Sequence, residues 1–271
     1  MHNCLLCPVC KKTLQRSDKK YICPQNHCFD VSREGYVNLL LSQRGGTHGD
    51  NKQMIQAREK FLSGGFYSPL CEEICEQAKK HLSDGCVLID CGCGEGYYTD
   101  KVYRALKEDL RGVTVCGFDI SRDAVKYACR RNKEIPFFVA GVYDMPFADE
   151  CADMLTSVFS PFAREEFLRV LKKGGTLISV IPDKRHLWSL KSALYDTPYE
   201  NELSDYEIEG FEFLGKSEIK NKITLRGEQI SALFVMTPYY YRTKPSDKEK
   251  ILAKEEMEIE TEFQVLVYRK I

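Results

Sequence analysis

Hydrophobic and polar positions change rhythm several times along the chain. Val87-Leu88-Ile89-Asp90 is apolar on both faces and ends in an acid, the pattern of a short buried parallel strand. Residues 97–110 follow with a helical pattern. The strand pattern returns at 114–119, 136–140, 152–159 (with its start at Asp153) and 176–181. A helix is expected over 123–132, and another ends at Leu171-Lys172-Lys173-Gly174-Gly175. Strand and helix alternate through five repeats, which predicts an α/β fold with a doubly wound parallel sheet. Residues 229–238 and 258–268 read instead as two long strands, an antiparallel pair closing that sheet. Upstream, 54–62 reads as a helix stopped by Gly64-Gly65. Tyr67 follows, and Pro69 opens a second helix to about residue 82, so two helices precede the first strand as a cap. Residues 35–41 are strand-like and 42–52 a polar, glycine-rich linker, dividing the chain into 1–46 and 47–271.

Gly92, Gly94 and Gly96 follow Asp90 at every second position. Lacking a Cβ, they let the backbone turn sharply and approach a ligand closely. The motif is neither the G-x-G-x-x-G of a dinucleotide site nor a P-loop. Asp119 ends the second strand, where a carboxylate can accept hydrogen bonds from both ribose hydroxyls of an adenosine. Its alternative role is to cap the helix that follows.

Thirteen cysteines change the picture. No apolar run approaches a membrane span and no signal-peptide core is visible, so the chain is expected to be cytosolic, with reduced thiols or metal ligands. Cys7-Pro8-Val9-Cys10 and Cys23-Pro24-Gln25-Asn26-His27 have the spacing C-x2-C-x12-C-x3-H, two knuckles separated by a hairpin's length, as tetrahedral Zn²⁺ requires. Cys4 and Cys28 are spare thiols beside this set. Cys151 precedes the fourth strand, out of place for a nucleophile. The net charge is −1, yet residues 1–46 carry +4. That module suits a polyanion, although a lysine-rich solvated face is charged in the same way.

Residues 90–99, Asp119, the Met-Pro-Phe-x-Asp turn at 145–149 and Leu-Lys-Lys-Gly-Gly at 171–175 resemble class I S-adenosylmethionine methyltransferase motifs. Together with the Cys/His knuckles and Glu34-Gly35-Tyr36-Val37-Asn38-Leu39-Leu40, the chain resembles along its whole length the bacterial 23S rRNA guanine-N1 methyltransferases. That family includes the tylosin-resistance enzymes of macrolide producers. The resemblance implies a Rossmann-like sheet with antiparallel C-terminal strands, S-adenosylmethionine contacts at Tyr67, Gly94, Glu95, Asp119 and His186, and Zn²⁺ at Cys7, Cys10, Cys23 and His27. It also implies a 23S rRNA hairpin as substrate and a homodimer, with no DNA or membrane partner. Asp90, Gly92 and Gly96 complete the expected cofactor loop. The acid that often reads the adenine amino group after strand three falls here on Gly141, leaving backbone near 140–142 or Asp144 for that task. Guanine N1 must lose a proton to attack, and Asp183 and His186 are the candidate acceptors by position. Phe159, Phe162 and Tyr239-Tyr240-Tyr241 are either stacking platforms for a base or core. The rival function is methyl transfer to a small molecule or protein, with zinc purely structural. A non-catalytic zinc protein would lack S-adenosylmethionine binding.

Overall fold

The computed structural model describes residues 4–41, 49–203 and 205–271. Most of the expected linker, with the 46/47 boundary, lies outside them. Strands β1 (Gln15–Ser17), β2 (Lys20–Ile22) and β3 (Cys28–Asp30) form a small antiparallel sheet, and β4 (Val37–Asn38) leaves it. Helices α1 (Lys52–Ser63) and α2 (Ser68–His81) follow. Asn51 caps α1 by accepting from Met54 N, and Pro69 sits in the first turn of α2, where its missing N–H costs nothing.

The body runs β5 (Val87–Cys91), α3 (Tyr97–Asp109), β6 (Thr114–Asp119), α4 (Arg122–Arg131), β7 (Phe137–Val139), β8 (Ala152–Val158), α5 (Arg164–Val170) and β9 (Leu171–Pro182). It continues through α6 (Trp188–Leu194), β10 (Phe211–Arg226), α7 (Glu228–Met236), α8 (Pro238–Arg242), α9 (Pro245–Leu252) and β11 (Glu256–Lys270). The large sheet has the order β10-β11-β9-β8-β5-β6-β7-β4. It is parallel from β9 to β4 and antiparallel at β11 and β10.

The fully apolar strands are buried on both faces, as their sequence requires. Leu88 and Met154 point into a core built with α1 to α4, α6 and α7. Ile89, Cys91, Phe118 and Leu155 point into a second core. That second core is covered by α5 and by Leu5, Cys7, Leu14 and Leu39 of the N-terminal segment, which is therefore built onto the sheet. Its β4 also extends the sheet by pairing with β7.

Two expectations need correction. Residues 229–238 are not a strand: α7 occupies Glu228–Met236, with Ile230 and 232–235 buried. A continuous apolar run fits a buried helix as well as a strand, and periodicity cannot separate them. The antiparallel partner of β11 is β10, whose polar face looks into solvent and hides the strand pattern. Helix α5 also ends at Val170, one residue before the Leu-Lys-Lys-Gly-Gly segment, which opens β9.

Candidate active site and metal centre

A cavity of about 960 Å³ opens at the carboxyl ends of β5 to β8, the ligand edge of such a sheet. Gly92, Gly94 and Gly96 border or support it with φ of +78°, +55° and +82°. Their roles differ. A Cβ on Gly92 would lie 2.4 Å from Ser160 Oγ, and one on Gly96 would lie 2.9 Å from Ala128 Cβ. These two glycines admit the protein's own chain. On Gly94 a Cβ would meet only Arg58 Nη1, at 3.7 Å, so this is the glycine that leaves room for a ligand.

Asp90 accepts from the hydroxyls of Thr99 and Thr156, tying β5 to α3 and β8, and burial pushes its carboxyl up to about 6. Asp119 accepts from Ser121 N at 2.7 Å and from Gly94 N at 3.0 Å, and burial raises it as well. Ser121, not Asp119, caps α4 through Ala124 N. The Asp119 carboxylate is left bordering the cavity.

Glu95 is 2% exposed, and its Oε2 accepts from Tyr97 N at 2.7 Å. Its Oε1 makes no hydrogen bond, with the Arg131 guanidinium standing 3.5 Å away as an ion-pair contact. Burial raises the carboxyl and Arg131 opposes that shift. Among the described residues, only two buried side-chain polar atoms lack a hydrogen bond: Glu95 Oε1 and Tyr98 Oη. Both residues line this cavity. Such orphans are rare in folded proteins, and two on residues that line one cavity make it the candidate site for a polar ligand. Tyr98 escaped the sequence reading, because a tyrosine in a first helical turn carries no mark of its function. The Arg58–Asp50 ion pair at the same cavity escaped it too.

The structure keeps other candidates behind the cavity. Tyr67 packs edge-on to Phe263, with ring centroids 4.8 Å apart, and lies 6.2 Å from His186, but neither Tyr67 nor His186 lines the cavity. His186 Nδ1 accepts from Glu262 N at 3.2 Å, and burial holds its imidazole down at about 3, so it is neutral. Asp183 is buried and accepts from Gln264 Nε2 at 2.8 Å and Lys184 N at 2.9 Å, also away from the cavity. The two residues placed as proton acceptors by position are thus engaged at the β9–β11 junction. Phe159 does border the cavity, 46% exposed and at φ +54°. Phe162 packs on Phe167, and Tyr240 on Phe234, as core.

At the other site, one donor atom from each of Cys7, Cys10, Cys23 and His27 lies within 4.8 Å of the others. Cys10 Sγ and Cys23 Sγ are 3.5 Å apart. His27 Nδ1 is 3.5 Å from Cys7 Sγ and 3.4 Å from Cys23 Sγ. Zn–S bonds of about 2.3 Å put tetrahedral sulfurs roughly 3.8 Å apart, so the four atoms fit zinc. Cys4 instead faces Cys151 O, and Cys28 is exposed, so both spare thiols fall outside the set.

Two family models match. One, a zinc ribbon described as "RlmA, N-terminal", covers residues 5–45, and one described as "Methyltransferase domain" covers 82–227. The chain is 32% identical to a Streptomyces fradiae 23S rRNA (guanine(748)-N(1))-methyltransferase, over 92% of this chain and 90% of that protein. It is 31% identical, over 91% and 89%, to a Bacillus subtilis protein provisionally named as a 23S rRNA (guanine-N(1)-)-methyltransferase. Among solved structures, a Haloferax volcanii complex of the Trm112 methyltransferase activator with a candidate methyltransferase aligns at TM-score 0.50 and 16% identity. That alignment covers 82% of this chain and 99% of that one, a likeness of fold.

Proposed function

The chain belongs to the 23S rRNA (guanine-N1) methyltransferase family, and from this we propose that it methylates N1 of one guanine in a hairpin loop of large-subunit rRNA. The observation that supports the reading is a pair of buried groups without a hydrogen bond, Glu95 Oε1 and Tyr98 Oη, on residues that line the cavity beside the glycine turn. An amino acid's ammonium and carboxylate suit them. Asp119, at the end of β6, suits ribose hydroxyls.

S-adenosylmethionine, when bound, supplies an activated methyl on a sulfonium. The protein's work is then alignment and exclusion of water. Glu95 and Tyr98 would hold the amino-acid end, Asp119 the ribose, and Gly94 would admit the ligand next to the backbone. The target guanine must leave its stack to reach the cavity, which favours a loop nucleotide. Phe159, half-exposed at the cavity edge, is the aromatic that would meet it. The basic N-terminal module supports an RNA substrate over a small molecule. A ribosomal substrate favours a cytoplasmic enzyme, and we read the active form as a homodimer, which sedimentation at low protein concentration tests.

The experiment for the whole reading is primer extension on large-subunit rRNA incubated with protein and S-adenosylmethionine. A methyl on N1 blocks Watson–Crick pairing, so a new stop at one loop guanine is expected. RNA without any new stop, from protein that binds the cofactor, would favour the small-molecule or protein acceptor.

A further inference from the structure

The zinc knuckle does not stand apart from the cavity. Pro8, between the ligands Cys7 and Cys10, lines it together with Val142, Tyr143 and Asp144. The chain on either side of Pro8 is fastened to the segment that carries this wall. Leu6 N donates to Pro146 O at 2.8 Å, Ala148 N donates to Cys4 O at 2.7 Å, and Leu5 bridges Phe147 in antiparallel fashion. Lys11 Nζ pairs with Asp144 at 2.6 Å across the gap. Below, Leu5 and Cys7 share a buried cluster with Ala140, Met145 and Phe147.

This wall follows β7, one strand beyond Asp119, on the side where an adenine would lie. Gly141 offers no side chain there, and a Cβ on it would meet nothing within 4 Å. The acid nearest this end of β7, Asp144, is held by Lys11, so the knuckle also sets the group placed to read the base.

We infer that the zinc knuckle forms one wall of the cofactor site, with residues 7–11, set by the metal, holding residues 140–148 in place. Zinc occupancy therefore governs affinity for the adenosine half of S-adenosylmethionine, with no RNA present. This rests on the cofactor reading above. The chain's own contribution is mechanical: four ligands fix the loop, Pro8 closes the wall, and Lys11 latches Asp144.

Calorimetry with S-adenosylhomocysteine on the full-length protein tests it, with zinc content measured in each sample. Zinc-loaded protein should bind, and chelator-treated protein should bind at least about tenfold more weakly. Because stripping zinc can unfold the module, Lys11→Glu is the second arm. It sets like charges against Asp144 while retaining zinc, and should weaken binding about fivefold. Lys12→Glu makes the same change of charge on the neighbouring residue and should leave affinity unchanged. Recovery of affinity in Lys11→Glu combined with Asp144→Lys would identify the latch itself. Equal affinity in zinc-loaded, zinc-free and Lys11→Glu proteins would overturn the inference and leave the cofactor reading intact. Zinc-loaded protein that fails to bind S-adenosylhomocysteine would overturn both.

Discussion

Glu95 and Tyr98 each bury a polar atom without a hydrogen bond, which costs stability that a cofactor held by both groups would return. Tyr98→Phe should therefore leave the ligand-free protein as stable or more stable, by up to roughly 1 kcal/mol, while weakening S-adenosylhomocysteine binding about tenfold. Glu95→Gln removes a charge from the same place and should weaken binding by about ten- to a hundredfold. Calorimetry and urea unfolding check both effects together, and loss of stability without loss of affinity would mark the two groups as structural. His186 makes a pH prediction. Its folded value, about 3, lies below the 6.5 of the unfolded chain, so its stabilisation is complete above pH 6.5 and is lost as pH falls. At pH 5 the loss from this group is about 2 kcal/mol, and His186→Gln should lack that part of the acid slope in urea melts. The places of Gly92, Gly94, Gly96, Asp90 and Asp119 in the fold were legible because their spacing after two strands fixes where they must lie. The contacts of Tyr67, His186 and Asp183 with β11 were not legible, since a residue just past a strand end can face the cavity or the neighbouring strand. Here Phe263 and Gln264 of β11 draw them inward.

At the scale of elements, the turn from β5 to α3 is a joint rather than a flexible loop. Gly92 lets Ser160, just past β8, close against it, so the glycine turn and the Phe159 platform are positioned together. Gly92→Ala meets both a clash at Ser160 Oγ and a left-handed φ, and should lower stability by about 1–3 kcal/mol. Ser160→Gly should recover the steric share of that cost and leave the backbone share. Strict additivity of the two substitutions in thermal unfolding would mean that the contact carries no weight. The elements that sequence placed well are those whose burial is symmetrical, β5, β6 and β8, or whose start is written out, as with Pro69 in α2. The exchange of α7 for a strand and the oversight of β10 share one cause. Burial of a continuous run over 232–235 of α7 hides the helical rhythm, and exposure of one face of β10 fills that strand with Lys and Glu.

Over the whole molecule, the N-terminal segment is part of the body rather than an appendage. It supplies β4 to the large sheet and apolar cover to that sheet's second face. Composition and knuckle spacing announced a metal module but not where it docks, because the residues that receive it, Met145 and Phe147 among them, read as a turn of the methyltransferase body. One consequence concerns stability: removing zinc should shift the unfolding of the body as well as the arm. The single tryptophan, Trp188 on α6, reports on the body. Its fluorescence midpoint in urea should fall on chelation, and an unchanged midpoint would mean that the arm unfolds independently. Among the described residues no helix is long and apolar enough to cross a membrane.

Methyl transfer to N1 of guanine in 23S rRNA is the activity proposed for this chain. Its most direct measurement is nucleoside mass spectrometry of large-subunit rRNA after incubation with zinc-loaded protein and isotopically labelled S-adenosylmethionine. Label is expected in 1-methylguanosine alone. Label in another methylated nucleoside, or none in RNA from protein that binds the cofactor, would contradict it.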